Sequence, residues 1–254
     1  MKHLMPMILT RDSYSSSTGE HASLESLHSV VPLLCPQSFG WGQFSSSSST
    51  YFLVTDFLNL SSRSLSSSKG DKTIPLAEKL AKLHTTPAPI PEGFSKPVFG
   101  FPVTTCCGDT PQDNSFKQSW ADFYANNRLR FILRRSELSN GKDAELHKLV
   151  ERTASVVVPR LLADGYLNNG EGVIPVVVHG DLWSGNASRG SIGDGDVQDF
   201  VYDPSACYAH NEYELGIMQL FGGFGEAFMK QYHQLCPKTE PVDEYEDRVA
   251  LYEL

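Results

Sequence analysis

The residues best placed to do chemistry are His179-Gly180-Asp181-Leu182-Trp183-Ser184-Gly185-Asn186, followed further along by Asp203. Apolar residues precede both points: Val173-Ile174-Pro175-Val176-Val177-Val178 leads into the first, and Phe200-Val201 stands before Asp203. Asp181 and Asp203 therefore fall where buried strands run out. An Asp with an Asn five residues later on a loop, then an Asp closing a second strand, suits phosphoryl transfer. One carboxylate accepts the proton of the acceptor hydroxyl, while an amide oxygen and a second carboxylate hold Mg²⁺ on the phosphates. Mg²⁺ takes hard oxygen ligands and keeps several waters, so one Asn and one Asp suffice beside the phosphates. The spacing of Asp181 and Asn186 alone is common. The glycine-rich turn, the valine run and the second strand-terminal Asp make it informative.

Other clusters carry less. His179 beside Ser184 would need a Gly-x-Ser-x-Gly elbow to act as the base of a serine nucleophile, and none is present. Asp194, Asp196 and Asp199 start like a calcium loop, but its Gly and Glu positions hold Asp199 and Ser205. Cys106-Cys107 has no second cysteine pair or histidine at zinc spacing. Trp183 is suited equally to stacking on a sugar acceptor and to plain packing.

The elements that must position this loop are separated by serine tracts at 15–17, 45–49 and 61–68. Such tracts bury nothing and are expected to be mobile loops. Between them, 19–31 has helical spacing, and 51–60 reads as a buried strand running into a linker. Leu76, Leu80 and Leu83 predict a helix over 74–86, with Pro75 in its first turn. A proline-rich loop over 87–102 follows, then helices over about 119–133 and 144–164. Trp120, Phe123 and Tyr124 fit the core side of the first of these. A strand enters the loop at 173–186, a second covers 196–208, and the remainder from Glu212 is mostly helical.

The chain has 254 residues, with 21 Lys and Arg against 30 Asp and Glu, a formal net charge of −9. That balance argues against a nucleic-acid partner, whose phosphates must be neutralised by basic residues. No apolar run reaches the roughly 20 residues of a membrane helix. Lys2 and the apolar residues after it imitate a signal peptide only until Pro6 and Arg11 interrupt them, so a cytoplasmic location is expected. Five cysteines, an odd and sparse set, read as free thiols. Without a secretory route, the glycosylation patterns at Asn59 and Asn186 carry no meaning.

The run His179–Asn186, followed by YDPSACYAHNEYELGIMQLFGGF, resembles the fructosamine kinase (ketosamine 3-kinase) family, which is related to aminoglycoside phosphotransferases. FGFPVTTCCGDTPQDNSFKQSWADFYANNRLRFIL, YFLVTDFLNL and GEHASLESL are similar to its upstream segments. The resemblance covers the chain from about Gly19 onward. It implies an α+β, protein-kinase-like two-lobe fold, with an incomplete N-terminal lobe and hinge strand over 1–58 and a mostly α-helical catalytic lobe over 59–254. It implies ATP-dependent phosphorylation of the C3 hydroxyl of a ketosamine, either a small amine adduct or a glycated protein lysine, with Mg²⁺. Asp181 would be the base, and Asn186 and Asp203 the metal ligands. Asp56, Phe57 and Leu58 would form the adenine hinge, and Glu20 the helix acid that pairs with a strand lysine. His179, Trp183, Glu212 and Glu214 would contact substrate or orient the loop. Glu214 stands where relatives usually carry Asp. No glycine-rich turn or strand lysine is recognisable before Glu20, so the chain resembles a member shortened at both ends. Its rivals are a non-catalytic ketosamine- or partner-binding protein and a kinase for another amine-bearing acceptor.

Overall fold

A computed structural model describes residues 6–11, 14–60 and 73–254. The chain starts with β1 (Pro6–Arg11), α1 (Tyr14–Val30), β2 (Ser38–Gln43) and β3 (Tyr51–Asp56). These strands form one antiparallel sheet in the order β1-β3-β2, with β3 central and α1 packed on it. β4 (Leu58–Leu60) leaves that sheet after a single residue, Phe57. α2 (Leu76–Thr85) follows, with Leu76, Leu80 and Leu83 buried as their spacing requires.

A small hairpin, β5 (Cys106–Cys107) with β6 (Thr110–Pro111), precedes a long helical stretch. That stretch runs as α3 (Trp120–Phe123), a π-helical segment Tyr124–Arg130 and α4 (Phe131–Asn140). α5 (Ala144–Arg152) continues through a second π segment, Thr153–Val157, into α6 (Val158–Leu162). Then come β7 (Val176–Val178), β8 (Ala187–Ile192), β9 (Gln198–Val201) and β10 (Cys207–Ala209). α7 (Asn211–Phe221), α8 (Glu226–Leu235) and α9 (Tyr245–Tyr252) complete the chain. β7 pairs with β10, and β4 joins the β8–β9 hairpin. One apolar core runs from Leu24, Leu27 and Leu53 through Leu80 and Trp120 to Val178, Leu182 and Leu215. Among the described residues no helix is long and apolar enough to cross a membrane.

Four expectations change. Residues 15–17 belong to α1, with Ser17 fully buried. Burial of serine on this helix is illustrated by Ser23, whose hydroxyl donates to Gly19 O (2.7 Å) and accepts from Ala206 N (3.0 Å). Residues 6–11, read as an interrupted apolar stretch, form a strand. Pro6 is its first residue, where a missing N–H costs no ladder bond. The strand expected over 196–208 is two strands, β9 and β10, with Asp203 in the turn between them. The strand expected over 51–60 is β3 and β4 in different sheets. The tract at 45–49 is indeed the loop between β2 and β3, whereas 61–68 and Lys2 lie outside the described residues.

The interior contains a pH-sensitive element. Buried His210 is held by the Tyr252 hydroxyl at Nδ1 (2.9 Å) and Thr239 Oγ1 at Nε2 (2.8 Å), and burial pushes its pKa down from 6.5 to about 4. The unfolded chain therefore binds this proton first. Stability is intact above the ordinary histidine pKa and lost as pH falls toward the folded value, a difference of about 3 kcal/mol. Urea unfolding at about pH 5 should give a lower midpoint than at about pH 7.5. An unchanged midpoint would contradict this assignment.

Candidate active site

The loop after β7 is suspended from the interior at three points. Val176–Val178 are buried, Leu182 is an apolar anchor within the loop, and the Glu214 carboxylate on α7 lies beneath it. Glu214 accepts the backbone N–H of Gly180 (3.0 Å) and that of His179. Burial opposes its charge, but the His84 and His179 rings and the His179 N–H outweigh burial, and its carboxyl is held below the ordinary range. His179 is itself buried. Its Nε2–H donates to Tyr202 O (3.1 Å) and its Nδ1 accepts the Asp181 N–H (3.3 Å). Both ring nitrogens are thus committed, and burial lowers its pKa, so His179 is a neutral brace for the loop.

Gly180 has φ +81°, and a Cβ there would lie 2.0 Å from Ser205 O. Both objections meet at backbone, which cannot swing aside. Gly180→Ala is expected to lower the unfolding free energy by about 3 kcal/mol or more. Gly193→Ala shares a positive φ (+55°) but meets only Asp56 Oδ1 at 3.8 Å, and should cost only about 1 kcal/mol. Equal urea midpoints for the two variants would refute the close-approach argument.

Asp181 is half-buried at the loop's outer end. Burial first, then the charges of Asp203 and Glu214, push its pKa up to about 6, with the Asn186 amide pulling the other way. Asn186 Nδ2 donates to Asp181 O (2.8 Å) and Oδ2 (3.1 Å), so the amide's donors are spent on Asp181 and its carbonyl oxygen remains as an acceptor. Asp203 is exposed and has φ +58°, the left-handed region, immediately before Pro204. A residue preceding proline is normally extended. Such strain at a polar residue marks a site where side-chain direction outweighs backbone preference.

Tyr202 locks the Asp203 turn to the loop. Its N–H donates to Asn186 O (3.0 Å), its hydroxyl donates to Gly185 O (2.6 Å), and its carbonyl takes the His179 bond. Trp183 is 39% exposed, beside Phe221 with centroids 5.7 Å apart, and its ring covers Gly185, where a Cβ would approach to 2.2 Å. Among the described residues no three His, Cys, Asp or Glu form a metal cage. An Asn oxygen and an Asp carboxylate are hard oxygen donors of the kind Mg²⁺ takes beside phosphates, so the residues present would fit that ion.

Phe57 is the sole residue between the first sheet and the β4–β8–β9 sheet, and its carbonyl accepts the Gly193 N–H (2.8 Å). Antiparallel alternation then turns the backbone groups of Leu58 away from β8. Asp56 is tied back to Gln37, whose N–H donates to Oδ2 (2.9 Å). Glu20 lies buried on α1. Glu212 is placed elsewhere than expected. Its oxygens accept Arg248 Nε (2.7 Å) and Nη2 (3.1 Å) and Thr239 N–H (2.8 Å), so it holds α7 to α9 rather than the loop. Sequence reasoning missed Tyr202 and His84. Tyr202's adjacency to Asp203 was the available signal, whereas nothing local marks His84.

Residues 8–254 match the sequence profile of the fructosamine kinases. The chain is 37% identical over 156 residues to the ketosamine-3-kinase of Mus musculus, covering 61% of this chain and 45% of that protein. It is 28% identical over 239 residues to a chloroplastic protein-ribulosamine 3-kinase of Arabidopsis thaliana, covering 92% and 64%. The chain thus spans less than two thirds of the length of these relatives. A crystal structure from Haemophilus somnus 129PT, assigned by name to the fructosamine-3-kinases, superposes with a TM-score of 0.74 at 24% identity, covering 98% of this chain and 72% of that one. An aminoglycoside phosphotransferase in complex with AMP-PNP and hygromycin B superposes with a TM-score of 0.55 at 11% identity, covering 97% and 75%. The fold is the α+β fold of kinase-like phosphotransferases.

Proposed function

The chain belongs to the fructosamine kinase family, and on that premise we propose that it transfers the γ-phosphoryl group of ATP to the C3 hydroxyl of a ketosamine. The observation that carries this reading is Asp181 in contact with Asn186, with Asp203 in a left-handed conformation next to Tyr202, which is bonded to the same loop, and near enough for its charge to act on Asp181. In this reading Asp181 accepts the hydroxyl proton. A pKa of about 6 leaves it ionised at neutral pH yet basic enough to take that proton. Asn186 Oδ1 and the Asp203 carboxylate would hold Mg²⁺, whose charge would offset that developing on the phosphates. The Leu58 backbone meets adenine where Asp56-Phe57-Leu58 joins the two sheets, and Glu20 belongs to the phosphate side of the cleft. Glu214 and His179 hold the loop, and Trp183 offers its ring to the acceptor. The same connection divides a smaller part, 1–58, from a larger one, 59–254. The acceptor is a ketosamine on a small amine or on a protein lysine, and no nucleic acid takes part.

The test is a ³¹P NMR assay of the purified chain with Mg·ATP and a fructosyl or ribulosyl amine. A new phosphomonoester resonance is expected with the ketosamine, and none with the parent amine. Mg·ATP binding without transfer would favour the non-catalytic alternative. Transfer to an aminoglycoside or choline-like amine alone would reassign the acceptor.

A further inference from the structure

Glu214 carries the loop, but the two amides it accepts bring it no formal charge. Two histidines stand beside the carboxylate, His179 through its backbone N–H and His84 through its ring. His179 is neutral, because its Nδ1 accepts the Asp181 N–H while Nε2 donates to Tyr202 O. His84 remains. It projects from α2 with its side chain fully buried, and its Nε2 lies 3.8 Å from Glu214 Oε2. That nitrogen has no hydrogen-bond partner, a costly state for a buried polar atom unless an opposite charge faces it. At 3.8 Å the contact is electrostatic rather than a hydrogen bond, and in a buried setting attraction does not need closer approach.

The ring is fixed from its other side. Nδ1 meets the Tyr232 hydroxyl at 2.8 Å, and the two rings pack edge to face at 5.7 Å. That hydroxyl accepts from Asn211 Nδ2 (3.2 Å) and contacts Cys236 Sγ (3.4 Å). A line of polar contacts therefore runs from α8 through His84 on α2 to Glu214, and on to the backbone carrying Asp181.

We propose that His84 is a positioning residue, which directs Nε2–H at Glu214 and through it holds the His179-Gly180 backbone so that Asp181 faces the acceptor hydroxyl. This rests on Asp181 being the base. With its side chain fully buried, His84 is out of reach of a ligand in the cleft, so it acts on the chemical step and not on binding.

Two isosteres separate this role from core filling. The amide nitrogen of Gln occupies the Nε2 position and that of Asn the Nδ1 position. His84→Gln keeps a donor toward Glu214, and His84→Asn keeps only the Tyr232 contact. His84→Asn should lower kcat about tenfold or more with KM for ATP within about twofold, and His84→Gln should retain activity within about threefold. Amide exchange at Gly180, read by mass spectrometry or NMR, should be about tenfold faster in His84→Asn and little changed in His84→Gln. Equal losses in both variants, or unchanged exchange in His84→Asn, would overturn the proposal. The ¹⁵N spectrum of the unsubstituted chain needs no variant: a proton on Nε2 of His84 is expected, and a bare Nε2 facing Glu214 would refute it. Exchange and ¹⁵N readouts do not require turnover. A chain that transfers no phosphate would remove the kinase reading while those readouts still decide the contact.

Discussion

Asp181→Asn should abolish measurable phosphotransfer while leaving the chain more stable and still able to bind nucleotide. The amide is close in shape and can still accept the Asn186 Nδ2–H that now reaches Oδ2. It takes up no proton, so loss of the proposed base alone is expected to lower kcat about 10³-fold. The gain in stability follows from the same environment. The Asp181 pKa stands at about 6 rather than 3.8, because burial and the charges of Asp203 and Glu214 disfavour its ionised form. The folded chain holds this proton more tightly than the unfolded one. The carboxylate is thus neutral-to-favourable below the unfolded value and a burden once pH rises through 6, which it has done at neutral pH. Its partial exposure screens much of that cost, leaving about 1 kcal/mol to be recovered. Thermal unfolding, calorimetric titration with Mg·ATP and a turnover assay on one preparation check all three. An inactive variant that also loses stability would mean that Asp181 holds the loop together rather than doing its chemistry. Such opposition of stability and activity is the usual mark of a group kept for reaction.

Asp203→Asn should fail differently, at nucleotide binding. Asn tolerates the left-handed region as readily as Asp, so a φ of +58° before Pro204 is retained and the negative charge alone is removed. Mg·ATP affinity should fall about 100-fold, while affinity for nucleotide in the presence of a chelator should change by less than about threefold. Asp203→Ala should do the same and add a backbone cost of about 1 kcal/mol, since alanine resists that conformation. Equal losses with and without Mg²⁺ would show that Asp203 shapes the turn and holds no metal. Together the two variants separate base from ligand.

The loop was legible because its chemistry is local. Asp181 and Asn186 sit five residues apart behind a buried valine strand, and the short turn through Ser184–Asn186 brings the amide onto the carboxylate, a local contact inside a loop that Tyr202 and Glu214 brace from outside. The α2 helix was legible for the same reason, its leucines recurring with the helical period. β2 was not: Ser38–Gln43 contains two glycines and a register shift, which hide alternation, and it is a strand because β3 lies beside it. Residues 15–17 favour no structure by type. They are helical because α1 packs on the first sheet and reaches the Ser205–Ala206 turn.

The two glutamates of α7 show the limit most clearly. Glu212 and Glu214 are two residues apart on one helix, hence about 200° apart around it, and both are fully buried. By type and spacing either could orient the loop. One faces Arg248 and the other faces Gly180, and what stands on each side is set by segments far away in the chain. By itself the sequence determined the candidate reacting groups, their spacing and the valine strand that delivers the first of them, since these depend on residue type and on contacts within a few positions. Only the tertiary structure decided which acid carries the loop, that His179 is a neutral brace, and that His84 faces Glu214. Those assignments rest on contacts between residues 35, 23 and, for His84 with Tyr232, 148 positions apart, where no local periodicity reports on what burial brings together.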